Sequence, residues 1–286
     1  KGVGGTTTDY SLVRVMRDVV DLDPDIVFFS HTCNDGNRDT RRNMESVVRT
    51  LASLDNPPYI VFTRTTNRSY SESNGYGNQV AEFYGLPLID DLEAFKAATN
   101  GTGVSMSDLF ISDGVHPSNA GYQVIADEII RCMETGRYYQ KAIDRADKLI
   151  ENSGAIAEAT WFSSTDTSKV TRSTGWTAGS NYVQSNAEGD TLEFSFTGDI
   201  LAFEYGLHKD SGLIEVYVDD ELVFTCNPRY NDTLDSYQLV CKGDSIALDL
   251  EYGNHKVVMK TVPNPQVTGS QVDRIFGIMT GAWAQE

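Results

Sequence analysis

The sequence predicts two domains of different class: an α/β domain on a parallel sheet over residues 1–152, and an all-β sandwich of jelly-roll type over residues 153–286. Three observations predict it. Up to about residue 150, short continuous apolar runs alternate with segments of helical period, the pattern of parallel strands covered on both faces by crossover helices. From about Ala155 the helical period disappears, and short alternating strands follow one another with Gly, Asp and Asn between them. At 286 residues the chain is long enough for two cores.

The chain opens on KGVGGTTTDY, with three glycines in its first five residues. Glycines so packed mark a turn of positive φ or a backbone that must approach something closely. The Lys-Ser/Thr ending of a phosphate loop is absent. Leu12, Val13, Met16, Val19 and Val20 then recur at helical spacing, and after Pro24 the run Ile26-Val27-Phe28-Phe29 reads as a buried parallel strand. His31, Cys33, Asn34 and Asp35 follow at its carboxyl end, where open α/β sheets bind ligands. A helix over Met44–Leu54, a strand over Tyr59–Thr63, a helix over Asn78–Tyr84, a strand over Leu86–Ile89 and a helix over Asp90–Ala98 continue the alternation. Phe110-Ile111 leads into Asp113-Gly114-Val115-His116-Pro117, after which Val124, Ile125, Ile129 and Ile130 supply the apolar face of another helix. A last helix is expected over Tyr138–Glu151. In the second domain, 192–196, 213–218, 222–224, 246–250 and 256–260 read as strands, and Asp219-Asp220 as a hairpin turn.

The formal charge of −18 argues against nucleic acid or an anionic membrane as partner and suits a neutral substrate. No apolar run approaches the ~20 residues that span a bilayer. Lys1 is not a methionine, so the sequence reads as the remainder of a longer product, and the compartment stays open. The four cysteines show no metal spacing; Cys226 and Cys241 either pair across two strands or stand as buried thiols. Asn67, Asn100 and Asn231 head glycosylation sequons, and Arg38, Arg41 and Arg42 read as a solvated helix start.

Asp113-x-x-His116 carries the chemistry. A carboxylate three residues before an imidazole, fixed at a loop-to-helix boundary, holds one ring nitrogen's proton and frees the other as a general base. The alternative is a polar loop whose Asp caps the helix. Three stretches then stand in order: the glycines of Gly2–Thr8, Asn34 after its strand, and Asp113-x-x-His116, with 29 residues from Gly5 to Asn34 and 79 from Asn34 to Asp113. Together they resemble the SGNH (GDSL-like) hydrolase family, whose motif blocks carry Ser, Gly, Asn and Asp-x-x-His. KGVGGTTT is similar to the Gly block, CNDG to the Asn block and DGVHPSNAGY to the last block, a likeness covering residues 1–135. It implies a flavodoxin-like three-layer domain in which His116 is the base and Asp113 its orienting carboxylate. The Gly5 N–H and the Asn34 amide would donate to the oxyanion, each donor being worth about 3 kcal/mol. His31 and Cys33, flanking Asn34, are pocket candidates; no metal and no cofactor are expected.

The nucleophile block is absent. The resemblance places it, with the domain's first strand, upstream of Lys1, so the nucleophile is unknown here. Gly243-Asp244-Ser245 imitates that block, but strands rather than a helix follow it, and it reads as a turn of the sandwich. The stretch LDLEYGNHKVVMK and the closing FGIMTGAW more loosely resemble jelly-roll modules that accompany bacterial carbohydrate esterases. Trp161, Trp176 and Trp283 are then candidates for stacking on sugar rings, or else belong to the core. The resemblance implies an esterase that removes O-acetyl groups from plant oligo- or polysaccharide. The alternatives are a carbohydrate-binding protein with a degenerate hydrolase fold, and a lipase or thioesterase.

Overall fold

Each strand of the parallel sheet starts within two residues of a proline, which cannot donate to the ladder and so marks where pairing begins. After Pro24 comes β1 (Ile26–Phe29), after Pro57-Pro58 β2 (Tyr59–Arg64), and after Pro87 β3 (Leu88–Asp90). The computed structural model describes all residues except 1, 3, 31–33, 36–37, 71–74, 136–142, 145 and 286. Its described residues divide into two units, Asp18–Ala155 in one and Gly2–Arg17 with Ile156–Glu286 in the other. In the first unit the strands lie in the order β1-β2-β3, all parallel, with Phe29 opposite Phe62 and Phe62 opposite Leu88.

The helices are α1 (Thr8–Asp18), α2 (Arg41–Ala52), α3 (Tyr76–Tyr84), α4 (Asp91–Thr99), α5 (Met106–Leu109) and α6 (Asn119–Glu134). On α2, Met44, Val47, Val48 and Leu51 form a buried stripe at helical spacing. Helix α2 packs on α3 and α4 on α6; α3 and α4 both reach the central strand β2, which gives the expected three layers. The third strand starts at Leu88 rather than Leu86, because the Leu86 N–H closes α3 by donating to the Ala81 carbonyl (2.8 Å) after Gly85 turns at φ +63°.

The helix expected over Tyr138–Glu151 does not form at 143–144 and 146–151; the remaining positions lie outside the described residues. The cause is Glu45 on α2, whose carboxylate accepts the Leu149 and Ile150 N–H groups at 2.7 Å each, while the Asp147 carbonyl accepts from Arg49 and Tyr84. These backbone groups are bonded to side chains of α2 and α3 instead of to a helical turn.

The second unit contains β4 (Ile156–Ser163), β5 (Thr171–Arg172), β6 (Thr177–Ala178), β7 (Val183–Ser185), β8 (Thr191–Gly198) and β9 (Ile200–Leu207). It continues with β10 (Leu213–Val218), β11 (Glu221–Cys226), β12 (Gln238–Val240), β13 (Ile246–Ala247), β14 (Gly253–Val262) and β15 (Asp273–Trp283). One sheet runs β11-β10-β14-β8-β5; the other runs β12-β9-β15-β7-β6, with β13 on β9 and β4 on β15. Phe194, Phe203, Tyr205, Val216, Val257 and Ile278 meet in the core between them. The expected strand 246–250 stops at Ala247: the Leu248 carbonyl instead accepts the Trp283 indole N–H (2.8 Å). Trp176 is buried in the core. Cys226 and Cys241 are free thiols, buried completely.

Asp219 and Asp220 take φ of +52° and +69°, the backbone of a two-residue type I′ hairpin between β10 and β11. His255 on β14 staples that turn: its Nδ1 is 2.7 Å from Asp219 Oδ2 and its Nε2 2.7 Å from the Glu251 carbonyl. Both partners are acceptors, so the ring satisfies them only as a doubly protonated imidazolium. Burial works against that charge, but Asp219 and the Glu251 carbonyl outweigh it and hold the His255 pKa above the usual histidine value. A raised histidine pKa contributes stability that is full below the unfolded value near 6.5 and is lost as pH rises through the folded value. Thermal unfolding of the protein is therefore expected to show a loss of Tm as pH rises from 6 through 8, and His255→Gln is expected to flatten that slope.

Candidate active site

The segment after α5 is bent back on itself before α6 begins. Phe110 and Pro117 form an isolated antiparallel bridge; the Ile111 N–H donates to the His116 carbonyl (2.9 Å) and the Ser118 N–H to the Leu109 carbonyl (2.9 Å). Gly114 supplies the left-handed turn at φ +72°, its N–H donating to the Ile111 carbonyl. Ser118 caps α6, its Oγ accepting from the Gly121 N–H and donating to the Asp108 carbonyl. Gly121 lies so close to the Leu109 carbonyl oxygen that a Cβ there would overlap it. Val124 and Ile125 seat α6 on Phe95, Met106, Leu109 and Phe110, whereas Ile130, expected on the apolar face, is exposed.

Within this frame Asp113 and His116 come together as expected. Asp113 Oδ1 accepts the Val115 and His116 N–H groups (2.8 and 2.9 Å), and Oδ2 lies 2.8 Å from His116 Nδ1. The two backbone donors, with the imidazole, hold the Asp113 carboxyl down at about 2. An ionised carboxylate only accepts, so Nδ1 carries a proton, and in the neutral ring Nε2 is the nitrogen left with the lone pair. The His116 side chain is 68% exposed, leaving Nε2 open to an approaching group.

The loop sits at the carboxyl edge of the parallel sheet. Arg68, four residues beyond β2, donates its N–H to the Gly114 carbonyl (2.9 Å) and lays its guanidinium against Gly114. No motif in the sequence marks Arg68; the contact arises only from the loop after β2 folding onto the loop before α6. Asn34 is exposed in the bend after β1, and since β1 and β2 are parallel neighbours it leaves the same edge of the sheet. Asp35 beside it is buried, with Arg38 at 3.5 Å. Arg41 and Arg42 are not simply solvated: Arg41 holds Asp39 and Gln79, and Arg42 donates to the Asn152 carbonyl.

Gly5 belongs to the second unit, exposed, with φ +73° and the Gln238 side-chain amide against it. The pocket candidates His31 and Cys33 lie outside the described residues. Gly243–Ser245 is a 3₁₀ turn of the sandwich, as expected. Ser245 is fully buried and bonded to the Lys242 carbonyl and Cys241 Sγ, and Asp244 accepts from the Tyr205 hydroxyl and the Asn227 N–H, so this serine is closed to any ester.

Residues 1–124 match the family model of the GDSL-like Lipase/Acylhydrolase family. Among solved structures, a two-domain esterase (CEX) active on acetylated mannans, co-crystallized with mannopentaose, is similar at 16% identity and TM-score 0.75 over 98% of this chain and 79% of that one. A second structure of a two-domain esterase (CEX) active on acetylated mannans gives 16% identity and TM-score 0.74 over 100% and 80%. At this identity the likeness shows the fold, including its succession of α/β and sandwich parts. No curated relative matches the sequence.

The Asp113 hydrogen bonds have a measurable consequence. Its carboxyl carbon is expected to titrate by NMR near pH 2 rather than at the ordinary aspartate value of about 3.9. A depressed carboxylate pKa contributes stability that is full above the unfolded value and is lost as pH falls through the folded one. An Asp113 midpoint at or above 3.9 would contradict the bonded geometry.

Proposed function

We propose that this chain, whose residues 1–124 match the model of the GDSL-like lipase/acylhydrolase family, is a serine esterase that removes O-acetyl groups from plant oligo- or polysaccharide. The observation that carries the reading is the Asp113–His116 pair, with Nδ1 held by a carboxylate and Nε2 open. In this reading His116 Nε2 takes the proton of a serine hydroxyl as its oxygen attacks the acetyl carbonyl. The negative charge that builds on the carbonyl oxygen is met by the Gly5 N–H and the Asn34 side-chain amide. The intermediate collapses, the sugar hydroxyl leaves with the proton from His116, and an acetyl-serine remains. Water, deprotonated by His116, attacks that ester and releases acetate. The likeness of the fold to esterases active on acetylated mannans supports a carbohydrate ester as substrate. The net charge of −18 also suits an uncharged sugar rather than a polyanion.

A longer acyl group is the second reading, favoured by Ile111 and Val115. These flank His116 in the loop and expose apolar side chains. Initial rates on p-nitrophenyl acetate and octanoate separate the two: acetate is expected to be preferred, and an octanoate preference would move the reading to a lipase.

The deciding experiment is acetate release from acetylated mannan and xylan by the full-length natural protein and its variants. His116→Ala is expected to abolish turnover, and Asn34→Ala to slow it ~10²–10³-fold with the fold intact. Asp113→Asn is expected to cost on the order of 10⁴-fold, because an amide donor facing Nδ1 reverses the ring tautomer. Wild-type rates in all three variants would refute the assignment. A full-length protein that binds these polysaccharides without hydrolysing them would instead be a carbohydrate-binding protein on a degenerate fold.

A further inference from the structure

Strand β9 is buried along its whole length, on both faces. Its residues Leu201, Phe203, Tyr205 and Leu207 enter the sandwich core, so Glu204 points the other way, yet it is only 7% exposed. What its carboxylate meets is α1: Oε1 accepts the Tyr10 hydroxyl at 2.6 Å and both terminal nitrogens of Arg17 at 3.3 Å. Arg17 in turn lies 4.0 Å over the ring of Trp161 on β4. On β15, Gly277 makes the space, since a Cβ there would run into the Glu204 carboxylate and the Trp161 ring. Burial and the Glu204 carboxylate push the Tyr10 phenol far above its usual pKa, so Tyr10 keeps its proton and donates. Three strands of one sheet thus form a socket for two side chains of α1.

That helix begins three residues after Gly5. On the other side Gly5 is met by Gln238 of β12, in the same sheet. The segment carrying Gly5 is therefore gripped by the sandwich at its turn and along the helix that follows. An oxyanion donor works only when preorganised, because a backbone N–H that must be ordered during the reaction gives back part of its effect. We propose that Glu204 is a positioning residue for ester hydrolysis. By fixing Tyr10 and Arg17 it fixes the Gly5 peptide. The inference rests on the reading of Gly5 as an oxyanion donor.

The test compares Glu204→Ala, Glu204→Gln and His116→Ala in the full-length natural protein, with kcat and KM for p-nitrophenyl acetate measured per folded molecule. Glu204→Ala is expected to lower kcat roughly 10–100-fold with KM changed less than about twofold, since a misplaced donor is felt in the transition state. Glu204→Gln, which still offers an oxygen to Tyr10, is expected to recover most of that loss. A purely structural role would lower Tm and leave kcat per folded molecule unchanged. If Glu204→Ala keeps wild-type kcat while His116→Ala is inactive, the inference is overturned and the esterase reading stands. If His116→Ala keeps wild-type kcat, both fall. Should Glu204→Ala not fold, Tyr10→Phe removes only the hydroxyl that Glu204 accepts; a drop in kcat of about tenfold supports the inference, and an unchanged kcat overturns it.

Discussion

The loop that carries Asp113 and His116 depends on one carboxylate serving three donors. Asp113 accepts two backbone N–H groups with one oxygen and the His116 ring with the other, so a single side chain sets both the path of the loop and the tautomer of the imidazole. Exposed as it is, this contact contributes little to stability, because solvent screens it and both side chains lose freedom. Its value is geometric. Charge-assisted bonds to the backbone make the loop's shape and the imidazole's orientation the same constraint. The surroundings are consistent with that: the Phe110–Pro117 bridge closes the loop's base, Ser118 caps the helix that follows, and Gly121 brings that helix against the Leu109 carbonyl.

The sandwich solves a different problem. An antiparallel sheet ordinarily keeps one face in the core and one in water, but Ile200, Ala202, Glu204 and Gly206 of β9 are buried on the outward side as well. A carboxylate in such a place is costly unless it is paired and hydrogen-bonded. Glu204 meets that requirement by taking a phenol and a guanidinium from α1, so the buried charge specifies where the helix docks. His255 follows the same rule within the sheet, with an acceptor on each ring nitrogen.

What was legible in the sequence follows from the range of the interactions involved. The three parallel strands were readable because each is an apolar run started by a proline, and the Asp219-Asp220 turn because its residues tolerate positive φ. Asp113 and His116 were readable because they are three residues apart and bonded to each other. The course of 146–151 was not, since the charge pattern around it suits a helix and only Glu45, a hundred residues away, explains why the Leu149 and Ile150 N–H groups bond elsewhere. Strand β9 was missed because Ile-Leu-Ala-Phe-Glu-Tyr-Gly-Leu, buried on both faces, loses the alternation that identifies a sandwich strand. Glu204 and Tyr10 lie 194 positions apart, and Arg68 meets Gly114 only through the fold. No local pattern encodes such pairs.

In the proposed reaction, charge sets the demand on the two neutral donors, the Gly5 N–H and the Asn34 amide. A chain carrying −18 surrounds any developing oxyanion with a field of the wrong sign, and Asp113 adds a carboxylate to the loop of His116 itself. Most of that field acts across solvent and is screened within a Debye length of about 8–10 Å. A donor at hydrogen-bond distance is not screened, so an N–H and an amide held in place outweigh many distant carboxylates. The balance holds only while those donors stay where the charge appears. A backbone N–H in a glycine turn is the less rigid of the two, because glycine gives up the most freedom on ordering. In the proposed reaction, anchoring the segment that carries Gly5 from a packed sheet, through Glu204 and Gln238, supplies what the turn itself lacks.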